Sequence, residues 1–335
     1  MTTRYPKPSI KALCAGFALL ASLCMVLAAT ASAQANAGKS QLQVYGNTST
    51  IELAPVLSAL GLGHYKGSAT LTNGGIPNLF TTSAGDAAAM VNVATNAETQ
   101  ALRQSVTHPD LRIIFTVSDG LYRIVARRSA GIKTLADLQG KKIGTIPNTS
   151  SAYFLHKMLT TVGLSIDDVQ VVAIGSLDKY KTALTEQGLD AISVWEPGAD
   201  YAAQSIGSDA IEFSGKGIYR EIFNLYTTAA ALADPVKHAV ILDFVKSLMV
   251  ATKELNSTPQ VVWPLVAKSS GLPEAVVAHA WEHHGYEAGL APDLLDVMVE
   301  EDKWVARETG HTPRTREQLA QLIDASVYLT AKIGR

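Results

Sequence analysis

From Gln41 to Tyr226 the chain alternates short β-rich runs with helical ones, and that rhythm restricts the fold more than any single residue does. "LQVYG" precedes "TIELAPVLSALG", whose apolar spacing and closing Gly61 predict a short helix. "ATLTNGG" and "AAAMVNVA" read as strands, the second followed by the helical "AETQALRQS". Next come the strands "LRIIFTV" and "YRIVARR" on either side of a turn-like "SDG". The helix "TLADLQG" then feeds the strand "KKIGTI", which leads into the helix "SAYFLHKMLTTVG". The strand "VQVVAI", the helix "LDKYKTALTEQG" and the strand "AISVW" follow. Such alternation predicts an α/β fold of two mostly parallel sheets covered by helices. After the β-like "LYTTAAAL" everything from Asp234 onward is helical, without a low-complexity tether. Two α/β halves and a helical C-terminal tail predict two lobes joined by crossing strands. The cleft between them would face the carboxyl ends of the strands.

The first residues set the compartment. Arg4, Lys7 and Lys11 precede an apolar stretch from Ala12 to Ala29, and small residues surround Ala31-Ser32-Ala33. This pattern predicts a secretory signal peptide, residues 1–33, cleaved after Ala33; a retained anchor is the alternative. Cys14 and Cys24 both fall inside it, each after a leucine, so the mature chain has no disulfide and no thiol nucleophile. Cleavage removes three positive charges and no negative ones, moving the formal net charge from −2 to −5. That balance argues against nucleic acid or an anionic membrane as the main partner.

Two stretches repeat one design, an apolar run, then Asn-Thr-Ser, then a helical pattern: "LQVYGNTSTIELAP" and "KKIGTIPNTSSAYFL". Read locally, these residues are helix caps. Placed on two walls of one cleft, Asn47, Thr48, Ser49 and Thr50 would face Asn148, Thr149, Ser150 and Ser151. Helix-start N–H groups and hydroxyls would then be offered to an anionic oxygen.

The phrase "GIKTLADLQGKKIGTIPNTSSAYFLHKMLTTVGL", followed by "GLDAISVWEPGADYA", resembles the periplasmic solute-binding proteins of ABC importers, in particular the nitrate/sulfonate/taurine group. The resemblance implies the two-lobed, type II periplasmic-binding-protein fold. Residues 34–119 would form the first part of lobe 1 and residues 120–225 lobe 2. Residues 226–335 would return to lobe 1 and supply the C-terminal helices. It also implies no catalysis and no cofactor. The protein would be a monomer that captures a small anionic or zwitterionic solute (sulfonate, taurine or nitrate-like) by hinge closure and delivers it directly to a permease with paired ATPases. Gly85-Asp86 is the counterpart of a family "G-x-x-D" phrase, while Asn92, Thr95 and Asn96 nearby are particular to this chain.

Beside the two corners, the candidate ligand residues are Tyr45 and Trp195 as aromatic walls and Asp119 and Glu196 as acidic groups suited to an amine or zwitterion. Tyr45 and Trp195 serve equally as core residues, Asp119 as a turn former with Gly120. Arg220 could clamp a carboxylate or sulfonate. His279 and His283 share a helix face, yet no third ligand is set by spacing, so no metal site is expected. An exported enzyme on the same scaffold and a sensory binding protein for a membrane receptor remain as alternatives.

Overall fold

The computed structural model describes residues 40–81 and 90–334. The expected signal segment with both cysteines, and Gly85-Asp86, lie outside the described residues. In chain order the strands are β1 (Gln41–Gly46), β2 (Ala69–Asn73), β3 (Met90–Ala97), β4 (Leu111–Leu121), β5 (Arg123–Arg127), β6 (Lys142–Thr145), β7 (Gln170–Ala173), β8 (Ala191–Val194), β9 (Ala210–Ser214), β10 (Arg220–Thr228) and β11 (His284–Gly285). The helices are α1 (Ala54–Gly61), α2 (Glu98–Gln104), α3 (Ser150–Thr160), α4 (Ala183–Glu186), α5 (Gly198–Ile206), α6 (Ala229–Ala233), α7 (Pro235–Ser257), α8 (Trp263–Ser270), α9 (Glu274–Trp281), α10 (Leu294–Thr309), α11 (Arg316–Ala320) and α12 (Ser326–Ile333).

These elements form two sheets, ordered β11-β4-β10-β3-β1-β2 and β7-β6-β8-β5-β9. The βα units pair in parallel, β1 with β2 and β3, β6 with β7 and β8. The strands that carry the chain between sheets run antiparallel to their neighbours, as β10 does to β3 and β4 and β5 to β8 and β9. Both sheets are therefore mixed rather than mostly parallel. A strand that crosses to another lobe has no helix to reverse its direction before pairing.

Only Tyr122 separates β4 in the first sheet from β5 in the second, and the return runs from Ser214 to Arg220. The "SDG" stretch is thus not a turn. Ser118, Asp119 and Gly120 continue β4, paired to β10, and Asp119 and Gly120 also meet β11. The local turn signal is overridden because neighbours on both sides complete the hydrogen-bond ladder.

Tertiary packing decides the helices too. α7 starts at Asp234, whose carboxylate accepts from the Val236 and Lys237 amides at 2.8 and 3.1 Å, with Pro235 preorganised behind it. Its buried stripe, including Ile241, Phe244, Val245 and Leu248, joins Val56 of α1 and Leu42 and Val44 of β1 in one core. Each such side chain contributes about 1.5–3 kcal/mol by burial. Two sequence readings shorten. "LDKYKTALTEQG" breaks into a 3-10 turn and the single turn α4, and "PQVVWPLVAKSS" divides before α8, where Pro264 falls at a helix start.

Candidate functional site

A cavity of about 590 Å³ lies where the strand ends of the two sheets face each other. Asn47 follows β1, Asn73 ends β2, Thr95 and Asn96 belong to the end of β3, and Pro147 to Ser150 follow β6. Trp195 follows β8, while Glu221 and Phe223 share one face of β10. The volume suits a small solute. The position, outside the carboxyl ends of parallel strands, is where open α/β sheets hold ligands.

The two Asn-Thr-Ser corners are not equivalent. The first uses its amides internally. Thr48 N–H donates to Asn73 Oδ1 at 3.2 Å, Ser49 N–H to Asn47 Oδ1 at 3.1 Å and Thr50 N–H to the Asn47 carbonyl at 3.4 Å. It is not a helix start, because α1 begins only at Ala54. Asn47 and Thr50 line the cavity, Thr48 is turned to Asn73, and Ser49 lines an adjoining space of about 500 Å³ with Trp195 and Tyr201.

The second corner does open a helix. Asn148 takes a left-handed conformation, φ 62°, and Thr149 is the N-cap of α3, its hydroxyl accepting from Ser151 N–H at 3.2 Å. Thr149 takes the Ser151 N–H on its hydroxyl and the Ala152 and Tyr153 N–H groups on its carbonyl, so what α3 turns to the cavity is the positive end of its dipole and the Ser150 hydroxyl. Ser150, 3% exposed, opens α3 with its hydroxyl 2.8 Å from Tyr122 Oη and 3.4 Å from Glu221 Oε1. Ser151 is turned inward, between Thr145 Oγ1 and the Ser193 carbonyl. Asn148 is tied across the mouth to α2: Gln100 Nε2 donates to its carbonyl at 2.8 Å and Arg103 to its Oδ1 at 3.2 Å.

The other expected residues divide. Trp195 lines the cavity, half-buried, its ring 5.8 Å from that of Tyr122. Tyr45 does not line it and packs at the edge of the core. Glu196 is fully buried behind the wall, accepting from Arg123 Nε at 2.7 Å and from the Asp200 N–H at 3.1 Å. Asp119 forms an ion pair with Arg220 at 3.3 Å, and Arg220 also reaches Asp293 at 2.8 Å. Neither acid and neither arginine lines the cavity, because each charge is matched by a partner distant in sequence. His279 Nδ1 lies 3.0 Å from Asp200 Oδ1, while α9 ends before His283.

The acids that do line the cavity are ones the sequence reading missed. Glu52 precedes α1, fixed by Ser118 Oγ donating to its carbonyl at 3.1 Å, and Glu221 projects from β10. Among the described residues no lysine or arginine lines this cavity. Burial raises Glu221 well above the usual carboxylate range, helped by the charges of Glu52 and Glu98 and opposed by bonds from Tyr122 and Ser150. Burial also acts to raise Glu52, but the hydrogen bond and charge of His284, 3.5 Å away, outweigh it and the net shift is downward. His284, disfavoured as a cation by burial, is pushed up overall by Glu52. A signal for Glu221 was present: a lone carboxylate in the run "REIFNLYTT" that forms an interior strand.

A binding protein of Brucella abortus is 36% identical over 75 residues, 22% of this chain and 23% of that protein, so the chain spans about a quarter of that relative's length. An aliphatic sulfonates-binding protein of Escherichia coli K12 is 26% identical over 161 residues, 48% of this chain and 49% of that protein. Among solved structures, the alkanesulfonate-binding protein of Xanthomonas axonopodis pv. citri bound to MOPS superposes with a TM-score of 0.65 at 17% identity. It covers 86% of this chain and 99% of its own. A desulfurization enzyme in complex with biphenyl-2-sulfinic acid shares the fold at a TM-score of 0.60 and 14% identity, covering 89% of this chain and all of its own. The two-lobed architecture is therefore that of periplasmic binding proteins. The sequence pattern of the NMT1/THI5-like family matches residues 81–260, just over half of the chain, and the chain belongs to that family.

Proposed function

We propose that this chain is the exported solute-binding component of an ABC import system, and that the cavity between its lobes holds a small anionic or zwitterionic solute. The observation that carries the reading is the start of α3. It presents the positive end of a helix dipole, hydroxyls and the half-buried Trp195 to one cavity. An anionic group of the solute, sulfonate-like or carboxylate, sits against that helix start without a full positive charge from the protein. The sulfonate-binding relatives support this class.

Closure follows from the chain's path. A ligand touching Asn47 and Thr95 on one side and Thr149 and Ser150 on the other favours the arrangement in which both are near it, and stabilises it by that differential affinity. The crossings at Tyr122 and between Ser214 and Arg220 are the segments that would bend. Residues 1–33 direct export and are cleaved after Ala33; the closed monomer docks on a permease served by ATPases.

The likeness to a desulfurization enzyme keeps a second reading, an exported enzyme on this scaffold. One experiment tests both: thermal unfolding of residues 34–335 against taurine, alkanesulfonates, nitrate and aromatic carboxylates, with recovery of each stabilising compound. A true ligand at about one hundred times its Kd adds about 2.7 kcal/mol and raises Tm. Stabilisation with the compound recovered unchanged is the expected result; a modified compound means an enzyme, and no stabilisation by any member contradicts the proposed solute class.

A further inference from the structure

We infer that the Glu52–Glu221 side of the cavity receives a positively charged nitrogen, an ammonium or amidinium group of the solute. The inference rests on the reading of this cavity as the solute site, and it names the pole of the ligand that the start of α3 does not address.

Glu52 and Glu221 are 2% and 4% exposed, and both line the cavity. Each carboxyl has donors on one side: Glu52 Oε1 faces His284 Nε2 at 3.5 Å, with Thr50 also bonded to Glu52, and Glu221 Oε1 lies 3.4 Å from Ser150 Oγ, with Tyr122 also bonded to Glu221. The second oxygen of each, Oε2, is buried with no hydrogen-bond partner. A buried acceptor without a donor is costly, and two lining one cavity constitute an unmet demand for a donor. The nearest protein cation, His284, is already committed to Glu52 and to the Ala280 carbonyl.

A bare anion brings no donor to these oxygens, whereas a cation offsets the burial that keeps Glu221 protonated. A primary ammonium brings three N–H donors, and an amidinium a planar fork matched to a carboxylate. Trp195 and Phe223, which line the same cavity, add aromatic surface for the carbon skeleton and for the charge. Ser150 both opens α3 and touches Glu221, so the anionic and cationic poles of the site are adjacent. Adjacent poles select a short spacer between the charges of the ligand.

The test compares probes in matched pairs on the mature protein, residues 34–335, by calorimetry and thermal unfolding: taurine against ethanesulfonate, β-alanine against propionate, benzamidine against benzoate. In at least one pair the member with the charged nitrogen binds about tenfold tighter or more, as expected for a charge-assisted hydrogen bond. Glu221→Gln abolishes that preference while unfolding at a Tm no lower than that of the unliganded wild type, since it removes no charge pair; Glu52→Gln provides the second variant. The wild-type preference by itself needs no variant to fold. Equal or tighter binding of the nitrogen-free member, with Glu221→Gln neutral or tightening, overturns this inference and leaves the solute-binding reading standing. No response to any probe of either kind overturns both.

Discussion

Glu98 illustrates how the chemistry around the cavity is set residue by residue. Its carboxyl is fully buried at the start of α2, accepting from Tyr219 Oη at 2.7 Å and from the Ile222 N–H of β10 at 2.8 Å. Burial raises it to about 7, against the lowering effect of those two bonds. A carboxyl raised on folding stays protonated in the native state while the unfolded chain ionises. The native state therefore loses stability as pH rises from the unfolded value, 4.5, through about 7. The full shift corresponds to at most roughly 3 kcal/mol. His283, lowered to about 4 chiefly by burial, works in the opposite sense over an overlapping range, so the wild-type profile alone does not isolate Glu98. The difference between proteins does. The Tm of Glu98→Gln relative to wild type rises between pH 5 and pH 8, and a pH-independent difference would remove Glu98 as the titrating group. Residues such as Glu98, Glu52 and Glu221 are hard to read from sequence because a carboxylate's setting depends on elements distant along the chain. The same holds for Asp119 and Glu196. Both were expected at the ligand, and both are claimed by arginines, Arg220 and Arg123. Asn47, Asn148, Thr149, Ser150 and Trp195 were legible because strand-end position alone carries them to the cavity.

At the scale of elements, α3 does what its sequence announced and α1 does not. Thr149 caps α3 at the cavity edge, while four residues separate the first corner's Ser49 from α1, with Thr50, Ile51, Glu52 and Leu53 between. The repeated tripeptide therefore marks two similar chain positions but only one helix terminus. Helix caps allow a matched comparison. Thr149→Ala and Asp234→Ala each remove a side-chain acceptor from a helix start, α3 and α7, and each costs about 1 kcal/mol. Both variants lower Tm by about 1–2 °C at this chain length. Only Thr149→Ala also weakens binding of whichever probe stabilises the wild type, because α7 starts away from the cavity. Equal effects on affinity would mean that the start of α3 has no special part in binding. The alternation of strands and helices was legible from periodicity. The continuation of β4 through Ser118-Asp119-Gly120 was not, because the partners that make it a strand, β10 and β11, lie about a hundred residues or more further on.

At the scale of the molecule, polar contacts join elements of the two sheets' territories at several places, one of them at the cavity mouth. Gln100 and Arg103 hold Asn148 at the mouth, Lys157 of α3 pairs with Glu300 of α10, and His279 of α9 pairs with Asp200 of α5. These contacts are polar and partly exposed, each worth little singly, as suits surfaces that part and meet again. The aromatic group of Tyr122, Phe154, Tyr219 and Trp195 packs where the chain crosses, so the crossing and the cavity wall share side chains. Trp195 is therefore the natural reporter of occupancy. The most direct test of the account is the tryptophan emission of residues 34–335 titrated with the best stabilising probe, in wild type and in Trp195→Phe. Trp263, Trp281 and Trp304 remain in both proteins. The account predicts a saturable emission change in the wild type that disappears in Trp195→Phe while calorimetry still detects binding. The same emission change in both proteins would place the ligand elsewhere and contradict the assignment of this cavity as the binding site.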